Sequence, residues 1–420
     1  MKWRAWLLVA AFLVIATIAP TAARGGDAFW HGVDISDSGM DPEGMEAIHG
    51  AVWDAIIDMV PTPTGFPTGD PVDDKDRGLR IYKPRKAWNG YTLLNCFAPL
   101  TPGGTNNNVL IDMKGNVVNS WSFGMGFMSA AKMLPGGHVV GGMPGANPFS
   151  FSGTLTQLDW NGNVVKTWKD TAVHHDHERE GSPCGYFAPY QKPRTFGGKV
   201  LVLEMHYPSK DNDTSHICDS ADITDDRIRE LTWDGKELFR WDCWKYFDKL
   251  GLDEWAEAGL DLNLNHMGFD PNEDWSHGND VAWVGPNKWW SQHHDARFHP
   301  ANIIADFRSL NITIIIARYR HPYGKWEQGD IVWKLGPDYS TAGEDFKVGQ
   351  IIGQHHAHMI PACLPGAGNM LIFDNGGAAG YGAFVQGLRN EEGDPLGAWP
   401  NKFRLFSRVL EINPVTKQIV

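Results

Sequence analysis

The sequence is poor in the features that mark several large functional classes. Basic residues are outnumbered, Lys+Arg 37 against Asp+Glu 50, for a formal charge of −13. A surface built to hold nucleic acid phosphates needs the opposite balance, so DNA or RNA is not an expected partner. A local cationic pocket for a small anion remains compatible with it. No GxxxxGK[ST] stretch occurs, which argues against a nucleotide-phosphate loop. The five cysteines, Cys96, Cys184, Cys218, Cys243 and Cys363, include no CxxC pair, so neither a zinc knuckle nor a dithiol redox motif is indicated. In an oxidising compartment, Cys218 and Cys243 would be the first pair to test for a bridge. No stretch after the N-terminus approaches the roughly eighteen or more apolar residues of a membrane-crossing helix.

What is present begins with MKWRAWLLVAAFLVIATIAPTAARGG, which has a basic start, an apolar run from Ala5 to Ala19 and small residues near Ala23. Residues 1–23 therefore read as a secretory signal, with an uncleaved anchor as the alternative, and a periplasmic or secreted protein is expected. Residues 24–90 are rich in Gly, Pro and Asp and read as an N-terminal arm and linker. Within it, Met45–Val60 alone has helical spacing.

From Tyr91 onward the pattern is short apolar strands between polar turns. One phrase recurs as VLIDMKGNVVNSW (109–121), LTQLDWNGNVVKTW (155–168), IRELTWDGKELFRW (228–241), the shorter GDIVWKLG (329–336) and VLEINPVTKQIV (409–420). A second alternates with it: MLPGGHVVGG (133–142), TFGGKVLVLE (195–204) and CLPGAGNMLIFD (363–374). Two hairpins per unit make four strands, the pattern of a β-propeller blade. The expected fold is all-β over 91–420, a propeller with about five readable blades, the fourth enlarged by a loop over 286–307. A helical insertion is expected over 244–266. A pair of β-sandwiches is the runner-up. The last unit stops at Val420 where earlier units carry a Trp, so a sixth blade either lies beyond this sequence or is closed by N-terminal strands.

Loops that lead into the first strand of each blade converge in a propeller, and histidine-rich segments occupy those positions. They are His174-His175-Asp176-His177-Glu178, then Asp274-Trp275-Ser276-His277-Gly278-Asn279, then Gln354-His355-His356-Ala357-His358. Imidazole can act near neutral pH as nucleophile, proton carrier or metal ligand. His277 and Asn279, two apart, would share a face of an extended strand, whereas adjacent His174 and His175 would point apart, which disfavours their binding one metal ion together. Arg308, opening the strand that follows FRSLN, offers planar donors suited to a tetrahedral anion.

In this order HHD, DWSHGN, FRSLN with GDIVWKLG downstream, and QH followed by a Gly-rich turn and FDNG resemble the bacterial arylsulfate sulfotransferases over about 91–420. The resemblance implies a six-bladed propeller and transfer of a sulfuryl group from a phenolic sulfate ester to another phenol, with no cofactor, metal or nucleotide donor. It implies His355 as the transient nucleophile, and His277, Asn279, Arg308 and either His174 or His175 as the groups holding the sulfuryl oxygens. The implied partners are an aryl sulfate donor and a phenolic acceptor, with a homodimer as the candidate assembly. A non-catalytic anion- or metal-binding propeller and a metal-dependent sulfate or phosphate ester hydrolase are the alternatives.

Overall fold

A computed structural model describes residues 82–87, 89–95, 108–123, 130–144, 153–181, 193–218, 223–252, 260, 274–339, 344–376, 379 and 406–420, all within the unit Pro67–Val420. The signal segment, the Met45–Val60 helix and most of the N-terminal arm lie outside these residues.

The repeated phrase folds as expected because its turn closes on itself. Between β2 (Asn108–Ile111) and β3 (Val117–Trp121), Asp112 Oδ1 accepts from the Lys114 and Asn116 amides at 2.8 and 2.9 Å, and Gly115 takes φ 82°. The turn joining β6 (Gly153–Leu158) to β7 (Val164–Arg179) is the same: Asp159 Oδ1 accepts from Asn161 and Asn163, and Gly162 has φ 83°. Between β9 (Asp225–Thr232) and β10 (Glu237–Asp242), Thr232 Oγ1 takes the aspartate's place and accepts from Lys236. A short polar side chain that caps the turn, followed by a glycine free to enter the left-handed region, makes each hairpin a local property of the sequence.

The strands form antiparallel sheets. β1 (Thr92–Asn95), β2 and β3 make a three-stranded sheet. A curled seven-stranded sheet runs from β4 (Lys132–Leu134) through β5 (His138–Pro144), β6, β7, β8 (Lys199–His206) and β9 to β10 in sequence order. In it β7 is long enough to close one four-strand group on β6 and open the next on β8. Two four-stranded sheets follow. One contains β11 (Gly278–Trp283), β12 (Ile303–Phe307), β13 (Ile312–Ile316) and β14 (Ile331–Leu335). The other contains β15 (Gln354–Met359), β16 (Met370–Asp374), β17 (Arg408–Asn413) and β18 (Gln418–Ile419).

The core lies between neighbouring groups rather than within one of them. Leu110, Trp121 and Phe123 pack with Val139 and Leu158; Leu155 and Trp168 with Val200 and Leu231; Ile228 and Trp241 with Ile303 and Ile314; Ile304 and Trp333 with Met370 and Ile412. Strands such as β12 and β13 are therefore buried on both faces and are apolar except at Asp306 and Thr313.

A Trp in each of the first four repeated phrases fastens one of these seams. Trp121 Nε1 donates to Asp159 O, Trp168 to Thr232 O, Trp241 to Gly329 O and Trp333 to Pro414 O, at 2.7–3.2 Å. Each carbonyl lies just before the last strand of the following group, so one contact is repeated four times. Trp241 is 1% exposed and also stacks on Tyr246 at 4.9 Å. Trp241→Ala should lower stability by about 3–5 kcal/mol, read as a shift in denaturant midpoint. A change within about 0.5 kcal/mol, the range of an ordinary surface substitution, would remove the seam role.

Two expectations are corrected. Cys243 is a free buried thiol, so Cys218 and Cys243 are not bridged. The segment 286–307 is not all loop: it holds the helix α2 (Lys288–Ser291) and ends in the fully buried strand β12. Arg308 sits just ahead of β13, in the tight turn between the second and third strands of its sheet. The insertion is helical where described: a 3-10 turn over Cys243–Tyr246 runs into α1 (Phe247–Leu250), which Gly251 ends at φ 79°. Among the described residues no helix is long and apolar enough to cross a membrane.

Candidate functional site

Three strands bring the histidines together, with β11 packed against β7 on one side and β15 on the other. Each of the three histidine segments holds one histidine in the left-handed region: His175 at φ 51°, His277 at φ 46° and His356 at φ 53°. Side chains other than glycine seldom adopt this conformation, and it persists where surrounding contacts fix it. All three lie at or beside a break in strand register, between Val173 and His177, between Gly278 and Asp280, and between His355 and His358. A bulge re-aims side chains, so the strict alternation expected of His174 and His175 fails. Their Nδ1 atoms are 2.9 Å apart.

His174 is held from behind. It is 3% exposed, and its Nε2 lies 3.1 Å from Asp226 Oδ1. Asp226 also accepts from the Ser276 hydroxyl and, at 2.6 Å, from the Gly278 amide. A Cβ on Gly278 would fall 2.9 Å from the Asp226 carboxyl carbon, which is why glycine stands between His277 and Asn279. Burial opposes charge on His174, but the Asp226 carboxylate, Asp274 and a backbone contact at Glu204 together outweigh it and raise the imidazole above its ordinary range. His175 is the member that faces the other imidazoles, with its ring 4.8 Å from that of His277. Burial, reinforced by His277, His174, His355 and Arg308, keeps it well below the ordinary range and so neutral.

His277 is oriented by Asp274, whose carboxylate takes the Nδ1 side of the ring and leaves Nε2 for the site. Burial pushes the Asp274 carboxyl up, but His277 outweighs it and holds it down. Arg308 reaches the group because its amide donates to His277 O at 2.9 Å, laying the β12–β13 turn alongside. It is 8% exposed, and its charge is felt at both His175 and His355.

His355 Nδ1 lies 3.1 Å from Gly353 O, so Nδ1–H donates there and Nε2 carries the lone pair. Burial depresses its pKa to about 4; the Gly353 carbonyl works against this, while Arg308 and His277 add to it. Asn375, from the FDNG phrase, lies near the ring and also opposes the shift. The position of His355 is fixed by its neighbour Gln354, 0% exposed, whose Nε2 donates to Phe307 O and Ile312 O at 3.3 and 2.7 Å. Asn279 ties β11 to β15, its Nδ2 donating to Gln354 O at 3.2 Å.

Four of the six candidate residues, His175, His277, Arg308 and His355, thus share one electrostatic neighbourhood, His174 backs it, and Asn279 braces it. The carboxylates of Asp226 and Asp274 and the side chains of Gln354 and Asn375 were missed as site residues. Asp274, Gln354 and Asn375 lie within the quoted phrases DWSHGN, QH and FDNG, and Gln354 carried a further signal, because a buried amide beside a functional imidazole must have partners to satisfy.

A second polar cluster surrounds His356. Asp176 and Glu178 meet the Lys132 ammonium at 2.7 and 3.2 Å, Asp280 Oδ1 lies 3.2 Å from His356 Nδ1, and Asp306 Oδ2 accepts from the Ala357 amide. Burial raises Glu178 to about 8 against the pull of Lys132.

No protein-family model matches this chain, and no curated protein matches it significantly.

Proposed function

We propose that the chain is an arylsulfate sulfotransferase, moving a sulfuryl group from a phenolic sulfate ester to a phenol through a sulfohistidine at His355. The observation that carries this reading is His355 itself: a neutral imidazole with its Nδ1–H committed to Gly353 O, beside a cationic arginine and two further imidazoles. In the first half-reaction Nε2 attacks sulfur, the S–N bond forms and the S–O bond to the aryl group breaks. The departing phenolate takes a proton from His277, whose imidazolium Asp274 stabilises. In the second, the acceptor phenol returns its proton to His277 as its oxygen attacks sulfur and the S–N bond breaks. Sulfuryl transfer has a loose transition state like phosphoryl transfer, so positioning and charge stabilisation supply most of the catalysis. Arg308 and His175 would stabilise the sulfuryl oxygens.

The finer fold reading accompanies it: the strand groups are consecutive blades of a β-propeller. The supports are the repeated four-strand order, the four equivalent Trp contacts and the side-by-side first strands β7, β11 and β15. Export through residues 1–23 is part of the same proposal.

The test is p-nitrophenyl sulfate with and without phenol. Nitrophenol release that depends on phenol, with phenyl sulfate as second product, is expected. Release at the same rate without acceptor, yielding free sulfate, would make the protein a hydrolase, and no release would leave a binding protein. The pH profile adds a check. His355 is depressed, so the active neutral form is present above about 4 and is lost as pH falls through that value. kcat/KM should hold down to about pH 5, halve near pH 4 and approach a tenfold fall per pH unit below that. An acid limb at the ordinary histidine position, near 6.5, would contradict a buried neutral nucleophile.

A further inference from the structure

We infer that Asp176, Asp280 and His356 form a binding site for one divalent transition-metal ion of the Mn²⁺ or Zn²⁺ class. The inference is independent of the sulfuryl-transfer reading. The three residues come from β7, β11 and β15, and one donor atom from each lies within 4.8 Å of the others. Asp280 Oδ1 and His356 Nδ1 are 3.2 Å apart. Two ligands at right angles, each roughly 2.2 Å from an ion, are separated by about 3.1 Å.

Unsatisfied buried oxygens supply a second, separate reason. Four carboxylates, of Asp176, Glu178, Asp280 and Asp306, are each at most 5% exposed. Lys132 meets two of them, Asp176 and Glu178. Asp280 Oδ2 and Asp306 Oδ1, at 2% and 0% exposure, have no hydrogen-bond partner, nor has Glu178 Oε1. Asp306 faces the same cluster, within electrostatic reach of Asp280, Asp176 and His356. Buried oxygens left unsatisfied are costly, and the single ammonium reaches only two of the four carboxyl groups. A divalent cation coordinated by Asp280 and Asp176 satisfies these groups where hydrogen bonds do not.

The donor set narrows the ion. Carboxylate oxygen alone would suit Ca²⁺ or Mg²⁺, while an imidazole without thiolate favours ions of intermediate softness. His356 is 47% exposed at its side chain, so the site has a wall open to solvent through which an ion can enter. Its left-handed backbone at φ 53° turns that imidazole onto Asp280. Because His356 adjoins His355, the ion would hold the β15 bulge and act on the neighbouring imidazole only through position.

Full-length protein stripped with EDTA should take up about one equivalent of Mn²⁺ per chain, followed by loss of the free-ion EPR signal, or of Zn²⁺ by calorimetry. Either ion should raise the melting temperature of the wild type. Asp280→Asn and His356→Gln should each weaken binding by at least the roughly 10–100-fold that even the loss of an outer-shell partner costs. His356, half open to solvent, tolerates substitution should Asp280→Asn fail to fold. The inference is overturned if the wild type binds neither ion stoichiometrically, if it binds Ca²⁺ alone, or if wild type and His356→Gln bind alike.

Discussion

His355→Ala is expected to reduce kcat for p-nitrophenyl sulfate by at least about 10⁴-fold, since loss of a covalent nucleophile cannot be repaired by the groups around it. The fold should survive. The ring is only partly buried and its backbone carbonyl contact is local, Nδ1 to Gly353 O two residues away. Gln354 keeps its hydrogen bonds to Phe307 O and Ile312 O, so the start of β15 stays in place. A denaturant midpoint near that of the wild type together with loss of turnover would separate chemistry from stability. Retention of more than a few per cent of activity in a folded variant would remove His355 as the nucleophile.

Arg308→Lys carries the second large effect. The substitution keeps the charge but replaces a planar fork of donors with a single ammonium that reaches fewer sulfuryl oxygens. The backbone contact that seats the turn, Arg308 N to His277 O, is independent of the side chain. A loss of about 10²–10³ in kcat is expected, comparable to removal of one donor from an oxyanion site. KM should change much less, because the donors matter most as charge builds on the oxygens in the transition state. A variant within severalfold of wild type in kcat would mean that Arg308 serves only the turn.

The hairpins were legible because their cause is local. Asp112 and Asp159 sit in the same turn with the same glycine three residues on, and nothing distant is needed to make it. The Trp residues were legible as a repeat but not as fasteners, since each docks on a carbonyl that only the next strand group supplies, 38–88 residues away. The histidines stood out by density. Their carboxylate partners did not: Asp226 and Asp274 look in sequence like the turn aspartates Asp112 and Asp159. The alternation argument for His174 and His175 failed for a related reason. It assumes an extended backbone, and His175 is left-handed at a bulge that its own residues do not announce. Arg308 is legible both for its chemistry and for its place ahead of the strand that follows FRSLN, whereas β12 is hidden at the end of what reads as a loop.

The most direct measurement is mass spectrometry of the protein quenched rapidly after mixing with p-nitrophenyl sulfate in the absence of acceptor. The peptide that contains His355, His356 and His358 should gain one SO₃, fragmentation should assign it to His355, and adding phenol before the quench should discharge it. Nitrophenol release with that peptide unmodified, or with the label on another residue, would contradict a sulfohistidine at His355.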